Sequence, residues 1–388
     1  MRLSSEFQLV AACCRRPADA AADARIRTLA DAADWPRTVQ IAERHRVEGL
    51  VRDGLRRAGV EPPEPEAERL RAAAGRIARQ SLLLTAESLC LKAQFASADI
   101  DLLFVKGVTL GQLAWGSIGL KMGWDIDVLV APEEVEAAAA LLESAGYALA
   151  IPEGPEARNK LAFWHRHWKE SVWADPARGL TVELHTALAD NVRLLAGVGL
   201  ASPRQEVAVG GGSGTLATLA SEPLFAYLAI HGASSAWFRL KWIADIGALL
   251  APMPPEAIEP LYRTAVRLGA GRAAALALLL SHRLFETPVP APLLAELRRD
   301  RTTRWLLALS LRKLAGRAEA TELEATRLGT ATIHLLQFGL GKGVGFKLGE
   351  LRRQLVSPYD RMAVPLPRAL TFLYPAVFVL RRLRKARR

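Results

Sequence analysis

The chain has 388 residues, 51% hydrophobic and 23% charged, which suits a globular protein of two or three domains and excludes a disordered, collagen-like or low-complexity chain. Its formal net charge is +11, unevenly spread: residues 341–388 carry twelve Lys/Arg and two acids, leaving 39 Lys/Arg against 38 acids in residues 1–340. A near-neutral body with a cationic end predicts a tail drawn to phosphate, on nucleic acid or on an anionic lipid surface.

Residues 1–98 read as helical, with apolar positions such as Ile41, Leu50, Val51 and Leu55 at helical spacing. The apolar stretch Leu9–Cys14 is too short for a signal-peptide core and ends at Arg15-Arg16. No apolar run reaches the roughly 18 residues that span a bilayer, so the expectation is a cytoplasmic protein with no transmembrane segment, peripheral to a membrane at most. Cys13, Cys14 and Cys90 show no paired spacing and read as small buried hydrophobes in a reducing compartment. Pro62, Pro63 and Pro65 mark a break before a long helix from Ala67 to about Ala98.

The pattern then changes. Ile100–Val105 reads as a strand ending at the Lys106-Gly107 turn, Val108–Trp115 as a short helix, and Trp124–Val130 as a second strand. Pro132, Glu133 and Glu134 open a helix through Ala145, because proline and acids suit a first turn. Tyr147–Ile151, Glu170–Ala174 and Leu180–His185 are further strands, the last two joined by a turn-rich linker at 175–179. After a linker over 191–214, glycine-rich at Gly210–Gly214, helices return over 215–340, followed by the basic tail 341–388. The expected fold is α+β and mainly helical overall: a small mixed sheet domain at 99–190 flanked by N-terminal and C-terminal helical regions.

The chemistry concentrates in that sheet. Side chains alternate along a strand, so Asp125 and Asp127 face one way while Ile126, Val128 and Val130 face the other. Adjacent carboxylates repel unless a cation lies between them, and hard oxygen ligands suit Mg²⁺, or Mn²⁺ in its place. Glu183 and His185 share a face in the later strand. If the two strands are neighbours, Glu183 completes a cluster of three acids. Two ions held this way clamp the attacking and leaving oxygens of a displacement at phosphorus. The Lys106-Gly107 turn at a helix N-terminus offers backbone N–H groups and a charge to phosphate.

At these residues the chain resembles a known family. Phe104-Val105-Lys106-Gly107, then Lys121 through Val130, then Val182-Glu183-Leu184-His185, are similar to the uncharacterised nucleotidyltransferase family of the DNA polymerase β-like superfamily. A further block, His231-Gly232 through Trp237, Leu240, Trp242 and Asp245-Ile246, is similar to that family's helical segment. The similarity covers about 100–250, with a weaker trace near Pro365–Pro375. It implies an enzyme that binds an NTP, ATP among them, with Mg²⁺, and transfers a nucleoside monophosphate to an acceptor. Asp125, Asp127 and Glu183 carry over as metal ligands and catalytic acids; Lys106, Gly107, Lys121 and His185 face the nucleotide. Two departures stand out: Lys-Gly replaces the superfamily's usual Gly-Ser turn, and Lys121 replaces an arginine, losing the two-pronged phosphate contact. Alternatives are a non-catalytic nucleotide-binding or partner-docking module, and a regulator that nucleotidylates a partner protein.

Other residues draw plainer readings. His165 and His167 lack a third metal ligand and are expected to cap the site or touch the nucleotide. Of Trp115, Trp124, Trp164, Trp168 and Trp173, most are expected in the core, with one free to stack on a base. His231 is expected as a buried structural histidine. Lys241 and Asp245, four apart, read as a helix-surface ion pair, while the place of Asp245 amid Ile243 and Ile246 leaves open a role supporting the site from behind. Gly339–Gly345 lacks the Walker spacing and reads as a hinge. The apolar stretch Ala369–Leu380, with the basic run 381–388, reads as a terminal helix packed on the body, with a membrane surface as the alternative.

Overall fold

The structure, a computed structural model, describes residues 3–212, 214–316, 319, 330–364 and 366–386, with only the backbone of Arg368 and of 381–386. Five helices come first: α1 (Ser5–Cys13), α2 (Ala20–Ala30), α3 (Trp35–His45), α4 (Glu48–Ala58) and α5 (Glu66–Ser97). Ser4, Asp19 and Asp34 cap the first three, each side chain accepting a backbone N–H three residues on. Helix α5 runs on from the predicted proline break and ends one residue from the predicted limit.

The sheet domain follows in the expected order: β1 (Leu103–Phe104), α6 (Val108–Trp115), β2 (Ile126–Leu129), α7 (Val135–Ser144), β3 (Ala148–Ile151), α8 (Leu161–His165), β4 (Glu170–Asp175) and β5 (Leu180–His185). The five strands lie in the order β1-β2-β5-β4-β3, with β2 and β5 parallel and every other pair antiparallel. Parallel pairing at the centre buries both faces, and all four residues of β2 are accordingly buried. Strand β1 is shorter than the sequence suggested. Only two of its residues ladder with β2, although Val105 N–H still donates to the Asp127 carbonyl at 3.1 Å.

The stretch 191–214 differs from a plain linker. It contains β6 (Arg204–Val209), which pairs antiparallel with β7 (Gly214–Leu219) around the tight turn at Gly210–Gly212. Val207, Val209, Leu216 and Leu219 are buried, and this alternation holds the hairpin where the glycines alone suggested flexibility. Among the described residues the remaining α-helices are α9 (Ser221–Ser234), α10 (Leu240–Leu250), α11 (Pro255–Arg267), α12 (Gly271–Phe285), α13 (Ala291–Arg299), α14 (Arg301–Leu314), α15 (Ala331–Leu340), α16 (Val344–Leu355), α17 (Pro358–Ala363) and α18 (Tyr374–Ala386). The fold is α+β and mainly helical. The predicted hinge at 339–345 is the turn between α15 and α16, where Gly343 takes φ +82°.

Two buried clusters hold the molecule together. One fills the sheet with residues such as Phe104, Ile126, Val182 and Trp173. The other joins N-terminal residues Leu9, Val10 and Leu55 to Phe225, Trp237, Leu276 and Phe285, so the two helical regions form one core although the sheet separates them in sequence. The cavity described next lies where sheet and helical core meet. Among the described residues, no helix is long and apolar enough to cross a membrane.

Candidate active site

The site is set by register. In the parallel β2–β5 pair, Asp127 stands opposite Glu183 and Leu129 opposite His185. Directly opposite residues in a sheet have side chains about 5 Å apart, so the pairing brings the acids together from positions 56 apart in sequence. Asp125 lies just before β2 and is half-buried, whereas Asp127 is fully buried. Gly107 precedes α6 at φ +70°, a left-handed conformation that favours glycine, and Thr109 Oγ1 pins the turn by donating to the Phe104 and Lys106 carbonyls.

Lys106 sits among the acids. Its Nζ contacts Asp127 Oδ1 and lies 3.4 Å from Glu183 Oε2 and 3.9 Å from Asp125 Oδ2. Burial opposes its charge, but the three acids hold its pKa well above the usual lysine range. Burial raises Asp127 to about 6 against the pull of Lys106. Burial likewise pushes Glu183 up, yet Lys106 and hydrogen bonds from His185 and Asp127 hold it well below the usual carboxylate range. These two opposite shifts describe one coupled pair, in which the deeper acid keeps the proton longer. His185 Nε2 lies 3.3 Å from Asp127 Oδ1 and 3.4 Å from Glu183 Oε2, while Nδ1 lies 3.3 Å from Glu170 Oε2. Burial disfavours the imidazolium, but the bonds to Asp127 and Glu183 raise its pKa nonetheless.

Among the described residues, one group offers three converging ligand atoms, within 4.8 Å of one another: Asp127, Glu183 and His185. Asp125 lies outside this group and reaches it only through Lys106, whose Nζ is 3.9 Å from Asp125 Oδ2. Asp127 Oδ2 is buried and has no hydrogen-bond partner. A buried carboxylate oxygen without a partner, beside a second acid, fits a hard divalent cation.

The acids open into a cavity of about 530 Å³. Its far wall comes from α9 and α10: Tyr227, His231, Lys241, Trp242 and Asp245. Asp245 is buried and anchored, accepting from Trp115 Nε1 at 2.9 Å and lying 3.5 Å from Lys121 Nζ. Burial raises its pKa against the pull of Lys121. Burial and the nearby Lys121 lower Lys241 to about 7. With Arg46 and Lys169, this makes five basic side chains around one cavity. Trp124, 55% exposed, lines the same cavity, whereas Trp164 and Trp173 are core residues.

Residues 31–286 match the model of a family described as "Uncharacterised nucleotidyltransferase". The chain belongs to this nucleotidyltransferase family. The match takes in all of the sheet domain and the helices that wall the cavity, a wider span than the resemblance drawn from the motifs, and it leaves out 341–388. Comparison with curated proteins and with solved structures returns no match.

Within this nucleotidyltransferase chain, Lys106, Gly107, Lys121, Asp125, Glu183 and His185 all line the cavity, and Asp127 lies buried behind them. Three readings change. His165 turns inward, with Nδ1 3.0 Å from Thr186 Oγ1 and Nε2 2.9 Å from Ser171 Oγ, and burial lowers its pKa to about 4; it braces the sheet. His167 packs on the Phe163 edge, outside the cavity lining. His231, expected in the core, lines the cavity edge-on to Trp242 at 5.5 Å. Asp245 is buried in the cavity wall against Lys121 rather than lying on a solvated helix face with Lys241. Tyr227, Trp242, Lys169, Glu170 and Arg46 had no role assigned from sequence. The motif block at 231–246 holds Trp242 and adjoins Tyr227, but only folding brings Arg46, Lys169 and Glu170 to the same cavity.

Proposed function

We propose that this chain moves a nucleoside monophosphate from an NTP to an acceptor within the cavity between β2–β5 and α9–α10. The observation that carries the reading is the parallel register that sets Asp127 opposite Glu183 against a cavity walled by basic side chains. Asp125, Asp127 and Glu183 would hold Mg²⁺ or Mn²⁺, with His185 bracing Asp127 and Glu183. When bound there, the ion neutralises the triphosphate and the charge that develops on the leaving oxygen.

The rest falls to the chain's own groups. Lys121 and Lys241 line one wall and attract the β- and γ-phosphates, and the turn at Gly107 presents backbone N–H groups to phosphate at the start of α6. Asp245 positions Lys121, and Trp115 positions Asp245. Trp124, exposed at the cavity, offers a face on which the base stacks. The acceptor oxygen forms the new bond to the α-phosphorus, and the bond from that phosphorus to the bridging oxygen breaks, releasing pyrophosphate. Glu183, ionised and partly exposed, would hold the ion beside the acceptor oxygen; its depressed pKa makes it too weak a base to take the acceptor's proton, which passes to solvent in the cavity. Asp127 is too deep to reach that proton.

The test is transfer of label from α-labelled ATP, GTP, CTP and UTP to candidate small-molecule, peptide and protein acceptors with Mg²⁺. Wild type transfers label, and Asp127→Ala loses at least about a hundredfold in rate while still folded, as expected when a group stabilising transition-state charge is removed. Equal transfer by Asp127→Ala overturns the proposal.

A further inference from the structure

The C-terminal segment lies outside the family match and carries a net excess of ten positive charges over 341–388, with twelve Lys/Arg against two acids. Nothing in nucleotidyl transfer at the β2–β5 site calls for it. Over 341–364 and 366–386 its backbone is described. Tyr374 at the start of α18 is buried, its hydroxyl donates to the Val364 carbonyl and accepts from Leu366 N–H, each at 3.1 Å, and the Arg361 guanidinium stacks on its ring at 4.7 Å. This turns the Tyr374 side of the helix toward α17 and the residues that follow it. On the other side Phe372, Leu373, Ala376, Val379 and Leu380 are exposed. Their spacing of three, four and seven residues places them on one face.

The exposure is large for such residues: Phe372 is 71% exposed and Leu380 59%. Val344 and Leu348 on α16 add a second exposed apolar pair in the same segment, at 73% and 60%. A contiguous apolar face in water marks a surface that meets a partner. Immediately after it, six of the last eight residues are Arg or Lys. An apolar face flanked by a cationic run has one matching partner chemistry: acyl chains beneath anionic headgroups. A nucleic-acid backbone would meet the charges but leave Phe372 and Leu380 in water.

We propose that the face of α18 and the turn before it docks on an anionic lipid surface, holding the enzyme at a membrane without spanning it. The basic run draws the chain to the bilayer, each residue near the surface multiplying partitioning about fivefold. The apolar face then enters the headgroup boundary.

The experiment uses the full chain with vesicles of phosphatidylcholine alone and of phosphatidylcholine with phosphatidylglycerol, read by co-sedimentation. Wild type sediments with the anionic vesicles and not with the neutral ones, and rising salt weakens the binding. Phe372→Glu with Leu380→Glu lowers the lipid partition coefficient at least about tenfold, with unchanged circular dichroism and thermal midpoint. Arg384→Glu with Lys385→Glu also weakens it, through the charge term. Three results overturn the proposal. The first is equal vesicle binding by the apolar variant. The second is duplex DNA binding that outcompetes vesicles and is untouched by Phe372→Glu with Leu380→Glu. The third is a dimer in light scattering that dissociates on those substitutions while wild type ignores vesicles.

Discussion

Lys106 and a divalent cation ask for the same oxygens, and this competition is measurable. Consider Lys106→Met, which keeps the length of the stem and removes the charge. The ammonium contacts Asp127, with Glu183 at 3.4 Å and Asp125 at 3.9 Å. At an effective dielectric near 20, one such pair at 3.4 Å is worth about 5 kcal/mol before desolvation. Removing one member of a buried pair typically costs about 3–5 kcal/mol. Asp127 limits the loss, because its pKa is already about 6 with Lys106 present and it takes a proton at neutral pH once the lysine is gone. The net loss is therefore about 3 kcal/mol, or about 6 °C at about 2 °C per kcal/mol for a chain this long. Saturating Mg²⁺ should reverse the order of response. At a hundredfold excess over its Kd an ion stabilises by about 2.7 kcal/mol, so the variant recovers about 5 °C. Wild type gains less, because the ion must displace the ammonium. Thermal melts with and without Mg²⁺ check this. A variant that melts like wild type without metal, or equal Mg²⁺ shifts in both proteins, would refute the reasoning.

Lys241 predicts two pH effects. Burial lowers it to about 7 from an ordinary 10.5, so between those values the unfolded chain binds a proton that the folded chain does not, and stability rises with pH across that window. Lys241→Met should flatten this rise in denaturant titrations at pH 7–10 and should abolish proton uptake when NTP binds near pH 8, read by calorimetry in buffers of different ionisation enthalpy. Gly232→Ala tests the wall behind the cavity. A methyl there would lie 2.2 Å from the fully buried Trp237 ring, so the variant should lose about 3 kcal/mol in urea unfolding, and an unchanged midpoint would contradict the packing described. Because protons compete with cations for carboxylates, metal affinity should fall as pH drops below about 6, where Asp127 protonates; titration of Mn²⁺ by relaxation enhancement reads it.

Much of this site could be read before folding because it rests on short strands with strong patterns. Acids flanked by apolar residues at Asp125, Asp127 and Glu183 specify a half-buried face, and two such strands in a small sheet tend to be neighbours. The turn-rich 175–179 made β4 and β5 a hairpin, whereas the parallel pairing of β5 with β2 is a condition that folding supplies. Other features depend on long-range packing. The cationic wall is built from Arg46, Lys121 and Lys241, drawn from α3's end, a loop and α10, and no local period links them. Lys241 and Asp245 looked like a surface pair because four-residue spacing is silent on which helix face is buried. The β6–β7 hairpin was hidden by its glycines, which signal a tight turn as readily as a flexible joint. His231 was misplaced because a polar residue in an apolar helix is equally consistent with a core and with a cavity wall.

The central claim is that acids from two parallel strands hold a cation against a phosphate chain, and calorimetry of a non-hydrolysable triphosphate addresses it most directly. Wild type should bind it at least about tenfold more tightly with Mg²⁺ than with EDTA, and Asp127→Asn should lose that difference while remaining folded by circular dichroism. Binding that is indifferent to the metal, or an Asp127→Asn variant that retains the full Mg²⁺ dependence, would contradict the account.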